Sequence, residues 1–173
     1  MFVETDRLSI SDGSKIQTTT FGEASRIGNV DIQAREIKIF ETPVRNVFST
    51  GIFGGVQIDS RNETPPSANS GGNVTIQTEW LRINGGRVSS GTSGRGSAGN
   101  LLIRASESVE LVDNAPETGS LTFIGTGVSE GATGEGGNLT IETGRIRLFG
   151  DSDIRSNVFA EEGSGGNIML IAD

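Results

Sequence analysis

The chain has no cysteine, histidine or tyrosine, a single tryptophan and four prolines. Without thiols it can form no disulfide and offers no thiolate nucleophile. Without imidazole it lacks the commonest general base, and without both it lacks the usual zinc ligands. With so few aromatics, the core must be built from Ile, Leu and Val, which suits thin stacked layers. Positive charge is also scarce: 14 Lys and Arg stand against 22 Asp and Glu, a net charge of −8. Such a chain does not displace counterions from a phosphate backbone, which argues against nucleic acid as a partner. No stretch approaches the roughly 20 apolar residues of a spanning helix, so the chain is not expected to cross a membrane. The opening MFVETDRLSI has no charged segment followed by an apolar one, and is read as carrying no export signal.

Glycine is what the chain has in abundance, 26 in 173 residues, about twice ordinary usage and with no Gly-X-Y period. The glycines mark a repeat. A Gly-Asn pair followed by alternating apolar residues opens at Gly28-Asn29, Gly72-Asn73, Gly99-Asn100, Gly137-Asn138 and Gly166-Asn167. The asparagines are 44, 27, 38 and 29 residues apart, so long and short units alternate. Short units start near residues 1, 72 and 137, long ones near 28 and 99, and a partial unit covers 166–173; residues 1–173 read as one repeat domain.

Within each unit the apolar residues come in alternating pairs, such as Val74/Ile76 then Leu81/Ile83, and Leu101/Ile103 then Val109/Leu111. A period of two marks strands with one buried face. A lone Val88 or Ile154 follows in the short units, so three short strands per unit are expected, with Val56/Ile58 and Leu121/Phe123 as third-strand candidates in the long units. No segment sustains helical spacing. Parallel stacking of the units follows from magnitudes. Five or so inward aliphatics contribute about 1.5–3 kcal/mol each, while ordering the backbone costs about 1–2 kcal/mol per residue, so a unit stands only with neighbours on either side. The reading is an all-β parallel solenoid of about five coils. Three polar, proline-bearing stretches, Glu41–Phe53, Arg61–Ser70 and Asn114–Ser120, read as surface excursions.

Individual residues have structural readings. The five marker asparagines are expected to stack as a ladder, using left-handed turns or amide hydrogen bonds between rungs. Ala34, Thr78, Ala105, Thr143 and Ala172, five residues after each marker, read as small residues at a corner. Asp151, Asp153 and Arg155 suggest acid–base chemistry or calcium binding. Counting from an inward Ile154, however, turns Asp153 and Arg155 outward, in the places held by Lys15/Gln17 and Arg87/Ser89, as a solvated face. Trp80 reads as an aromatic lying over the surface, or as a sugar-stacking platform. No catalytic, cofactor-binding or metal-binding residue is identified, and no cofactor is expected.

The motifs GGNLTIETGRIRLFGDSDI and AGNLLIRASESVELVD, separated by Gly-rich polar turns, resemble the repeats of filamentous-haemagglutinin-like exoproteins, the secreted passengers of two-partner secretion, in particular the cyanobacterial type. The resemblance implies a single-stranded right-handed parallel β-helix, passage through a partner outer-membrane transporter, and residence at the cell surface or in the medium. It further implies adhesive work on a surface glycan or protein receptor. The chain lacks the NPN-type motif of the secretion domain and reads as a piece of the repeat shaft. The expected function is thus a non-enzymatic structural or adhesive segment. Two alternatives are a β-helical carbohydrate-active enzyme, a lyase or hydrolase, and a filament segment that associates end to end. The enzyme requires Asp151, Asp153, Glu142 and Arg155 to converge with side chains of a neighbouring coil.

Overall fold

The computed structural model describes residues 1–20, 27–41, 50–56, 71–113, 122–160 and 163–173. The described residues are all-β, with no helix, and form two parallel sheets. The first sheet contains β1 (Phe2–Ser11), β3 (Val30–Phe40), β5 (Val74–Asn84), β7 (Leu101–Val112), β9 (Leu139–Thr143), β10 (Ile146–Phe149) and β12 (Ile168–Ala172). The second contains β2 (Lys15–Thr20), β4 (Gly51–Val56), β6 (Arg87–Thr92), β8 (Phe123–Val128) and β11 (Asp153–Val158). The orders are β1-β3-β5-β7-β9-β12, with β10 on β7, and β2-β4-β6-β8-β11. Each of the five full units therefore feeds both sheets, the partial unit adds only β12 to the first, and every strand lies beside its counterpart one unit away. No helix of the described residues is long and apolar enough to cross a membrane.

The register stacks like on like. Ile32, Ile76, Ile103 and Ile141 follow one another up the first sheet, as do Ile37, Leu81 and Val109, and then Ile39, Ile83 and Leu111. In the second sheet the column is Ile16, Ile52, Val88, Ile124 and Ile154. Most of these side chains are wholly buried and form one continuous core. Strict alternation along each strand puts the intervening Gln77, Arg104 and Arg82 outside.

The Gly-Asn marker holds the rungs together. The Oδ1 atom of each marker asparagine accepts the backbone N–H of the next one. Asn73 donates to Asn29 at 3.1 Å, Asn100 to Asn73 at 2.8 Å, Asn138 to Asn100 at 2.9 Å and Asn167 to Asn138 at 3.0 Å. A backbone bond runs the other way: the residue after each asparagine, for example Val74, donates to the carbonyl of the next asparagine, here Asn100, at 2.9 Å. Each pair of rungs is thus closed by a two-bond clip. The expected ladder is present, but it runs from side chain to backbone, and no marker asparagine has a positive φ. The glycine explains itself by contact. A Cβ on Gly72, Gly99, Gly137 or Gly166 would collide with the carbonyl oxygen of the marker glycine one unit before.

Two expectations are corrected. The first two strands of a unit run together as one strand of 10 to 12 residues in β1, β3, β5 and β7. Pairing lapses for one or two residues at the small corner residues and resumes in the same register beyond them, and Thr78 spans the gap by donating its hydroxyl to the carbonyls of Arg35 and Trp80 at 3.0 and 3.1 Å. An extra residue in β7 is absorbed as a register shift opposite Thr78 and Trp80. Only the unit with Gly144 at the corner keeps β9 and β10 apart. The second correction concerns the third strand of the long units. It spans Gly51–Val56 and Phe123–Val128, with Ile52 and Ile124 inward, and Phe123 points outward. Ile58 and Leu121 lie outside the described residues. So do the excursions, apart from Glu41 and 50–53, which turn out to belong to the framework. Thr50 and Thr122, just before β4 and β8, are both fully buried. Their hydroxyls accept the N–H of Gly13 and Gly85, each in the turn of the short unit that precedes, at 2.7 and 2.8 Å.

Two substitutions separate contact from motif. Gly99→Ala should destabilise the chain by roughly 1–3 kcal/mol or more, because the new methyl meets backbone that cannot yield. Gly28→Ala, in the same motif, meets only a Thr18 methyl at 4.0 Å and should be neutral or slightly stabilising. Thermal or urea unfolding measures both; equal losses would contradict the close-approach account.

Candidate functional site

The outer face of the first sheet is laced with exposed ion pairs between rungs. Arg35 grips Asp6 through two nitrogens at 2.7 and 3.1 Å, and Arg104 holds Glu142 at 2.8 and 3.5 Å. These hydrogen bonds, opposed by partial desolvation, hold the Asp6 and Glu142 carboxyls below their usual pKa values. Trp80 is 39 % exposed here, with the Arg35 guanidinium 5.9 Å from its ring. The surface is solvated and its charges are largely matched.

The second sheet is different. Its outer face carries one residue per rung in an alternating series of cation and aromatic: Lys15, Phe53, Arg87, Phe123 and Arg155. Lys15 Nζ lies 5.8 Å from the Phe53 ring and the Arg87 guanidinium 5.3 Å from the same ring. Arg87 also approaches the Phe123 ring at 5.6 Å, and Arg155 lies against that ring at 3.7 Å. Cation–π contacts of this kind contribute about 0.5–2 kcal/mol each, more when water is excluded. Phe53 and Phe123 are only 6 % and 8 % exposed although they point away from the core; the long arginines cover them. Burial, and then repulsion from Arg155, push the Arg87 pKa below the ordinary guanidinium range, with Glu41 opposing. The group remains a cation.

Beside this series the face is hollow. Gly55, Gly91 and Gly127 occupy one outward column, in register, and Gly125 lies next to them. Without side chains they form the floor of a groove of about 280 Å³. One wall is the Phe–Arg series; the other includes Ser93 and Ser129, hydrogen-bonded to each other at 3.1 Å, and Phe159, which is 67 % exposed. The groove is lined from all five described levels of the second sheet, Thr19 through Asn157, with no carboxylate among the described residues that line it. Closely fitting backbone demands the glycines too: a Cβ on Gly51 or Gly55, at φ +148° and +155°, would meet the carbonyl of Arg87 or Gly91.

The residues singled out in the sequence separate. Asp153 and Arg155 face outward, as counted, and form an ion pair at 3.1 Å. Glu142 lies on the other sheet with Arg104, and Asp151 sits in an exposed turn. The four residues required for a carbohydrate-active centre do not converge. Among the described residues, no three acidic side chains approach closely enough to hold a metal ion. The groove itself went unread because Phe53 was assigned to an excursion and Phe123 to the core. Aligning Ile52 and Ile124 with Val88 and Ile154 turns all four outward, Arg87 and Phe123 in the column before the aliphatic and Phe53 and Arg155 in the column after it, so that rings and guanidiniums meet across two adjacent columns.

The fold and this site define the chain as an all-β protein of two parallel sheets with a cationic, glycine-floored groove on one outer face. No protein-family model, curated protein or solved structure matches it.

The Arg104–Glu142 pair yields a test of the surface electrostatics. A carboxyl whose pKa is lowered on folding adds stability above its ordinary value, and that contribution is lost as pH falls through the lowered one. NMR titration should therefore find Glu142 below 4.5, the ordinary value, and Arg104→Gln should return it toward that value. An unchanged titration in the variant would mean the pair does not form in solution.

Proposed function

We propose that the chain is a right-handed parallel β-helix segment of a secreted or cell-surface exoprotein of the filamentous-haemagglutinin type, doing structural and adhesive rather than catalytic work. The observation that carries this reading is the in-register parallel stacking of Gly-Asn-marked units, each full one feeding both sheets. Stacking of this kind makes a stiff shaft from short repeats, and the length of the shaft sets how far its loops stand from the cell. The parent protein would reach the surface through an outer-membrane transporter of the two-partner type. The segments at 42–49, 61–70 and 114–120 would carry contacts to a surface glycan or protein receptor, since insertions leave a solenoid where they do not disturb its rungs.

Two experiments test this. Protease added to intact cells of the source organism should remove the antigen recognised by antibodies to this chain, without lysis. An antigen protected until lysis would contradict surface display. Replacing 42–49 and 114–120 by short Gly-Ser linkers should leave the melting temperature within a few degrees and reduce binding of the purified chain to cells. Extending the first deletion through Phe53 should unfold it, because β4 is lost. Full adhesion after both replacements would remove these segments from the contact surface.

A further inference from the structure

The groove on the second sheet has properties that a plain shaft does not need. The chain as a whole carries a charge of −8, yet among the described residues the groove is lined by two arginines and no carboxylate. Both guanidiniums are drawn to one ring, Phe123, which holds like charges near each other. Arg155 uses one of its donors on Asp153, and a guanidinium has five. An anion placed between the two arginines would relieve their repulsion and take up charged hydrogen bonds, which are the stronger kind.

The shape narrows the ligand class. The groove crosses five successive strands, roughly 19 Å at the spacing of a sheet, so it suits an extended chain better than a compact ion. Its cations are few and set on strands two rungs apart, roughly 10 Å along the stack, which matches sparse charge rather than a charge on every backbone unit. The net negative charge of the protein opposes dense polyanions such as nucleic acid. Hydroxyls on the far wall at Ser93 and Ser129, a floor of bare glycine backbone, and an exposed Phe159 at the edge offer a sugar chain hydrogen bonds, close approach and one ring face.

We infer that this groove binds a linear polysaccharide bearing carboxylates, a uronate-type chain laid along the stacking direction with its acid groups on Arg87 and Arg155. This contact is separate from the loops of the preceding section and does not depend on whether the parent protein is displayed.

The test is calorimetric titration of the purified full chain with an oligosaccharide of six or so residues in which glucuronate alternates with N-acetylglucosamine, so that every second sugar is acidic, with the carboxyl-reduced neutral oligosaccharide as control. Binding to the acidic oligomer is expected, weakened severalfold by raising salt, and at least tenfold weaker to the neutral one. Arg155→Gln should weaken binding roughly tenfold, the loss of one charge-assisted contact. Ser129→Trp, at an exposed position, should block the groove without disturbing the core. Circular dichroism and melting of both variants confirm that they remain folded. No binding by the folded wild-type chain, equal affinity for the neutral oligomer, or undiminished binding by both variants would overturn the assignment. Loss of adhesion in the loop replacements with this titration unchanged would show the two contacts to be distinct.

Discussion

Everything in this structure depends on how closely two successive Gly-Asn markers approach. The glycine must be bare, because the carbonyl of its counterpart occupies the space of a side chain. The asparagine beside it offers an oxygen that takes the next asparagine's N–H, while a backbone bond returns in the other direction. From Gly72 on, the glycine cannot be exchanged for a larger residue, nor Asn29, Asn73, Asn100 or Asn138 for a non-accepting one, without opening the rung. Once the markers are in contact, the strands that follow are forced into register, and the pleat then decides which side chains go inside. Isoleucine on isoleucine is the consequence of this contact as much as its support.

That arrangement explains why units of such different length coexist. Just before β4 and β8 stand Thr50 and Thr122, whose hydroxyls secure the turns of the short units. The core sees the same few aliphatics at every level, whatever lies in between. The cross-rung ion pairs on the first sheet contribute little individually at such exposure. They do keep a long strand face charged and poorly suited to unwanted association. The second sheet keeps its outer face covered by other means, with stacked rings and guanidiniums on one side and glycine on the other, and so acquires a groove.

The first sheet was legible because two signals coincided there, a Gly-Asn marker and strict alternation of Val, Ile and Leu. The corner residues were legible too, since only small side chains recur five positions after the marker. The continuity of the strands through those corners was not, because alternation alone does not say whether pairing survives a bend. The second sheet was harder. Each of its strands has one aliphatic, or two spaced four residues apart, in a setting that includes Gly, Ser and Thr, and in GIFGGV and FIGTGV a phenylalanine stands beside the isoleucine. Counting pairs of apolar residues therefore chose Val56/Ile58 and Leu121/Phe123, and the groove, built from residues of five different units, disappeared with that choice. Periodicity reads a core well. It reads an outer face only when every rung is correctly aligned.

The resulting picture is a ladder whose rungs are fixed by backbone contact, with a cationic groove along one side. Its central claim is the clip between markers. The most direct measurement is NMR detection of scalar coupling across the hydrogen bonds from the Asn100 and Asn138 amides to the side-chain carbonyls of Asn73 and Asn100. The account predicts both couplings, together with slow amide exchange at these positions. Absent couplings with amides exchanging at the rate of an unstructured peptide would contradict it.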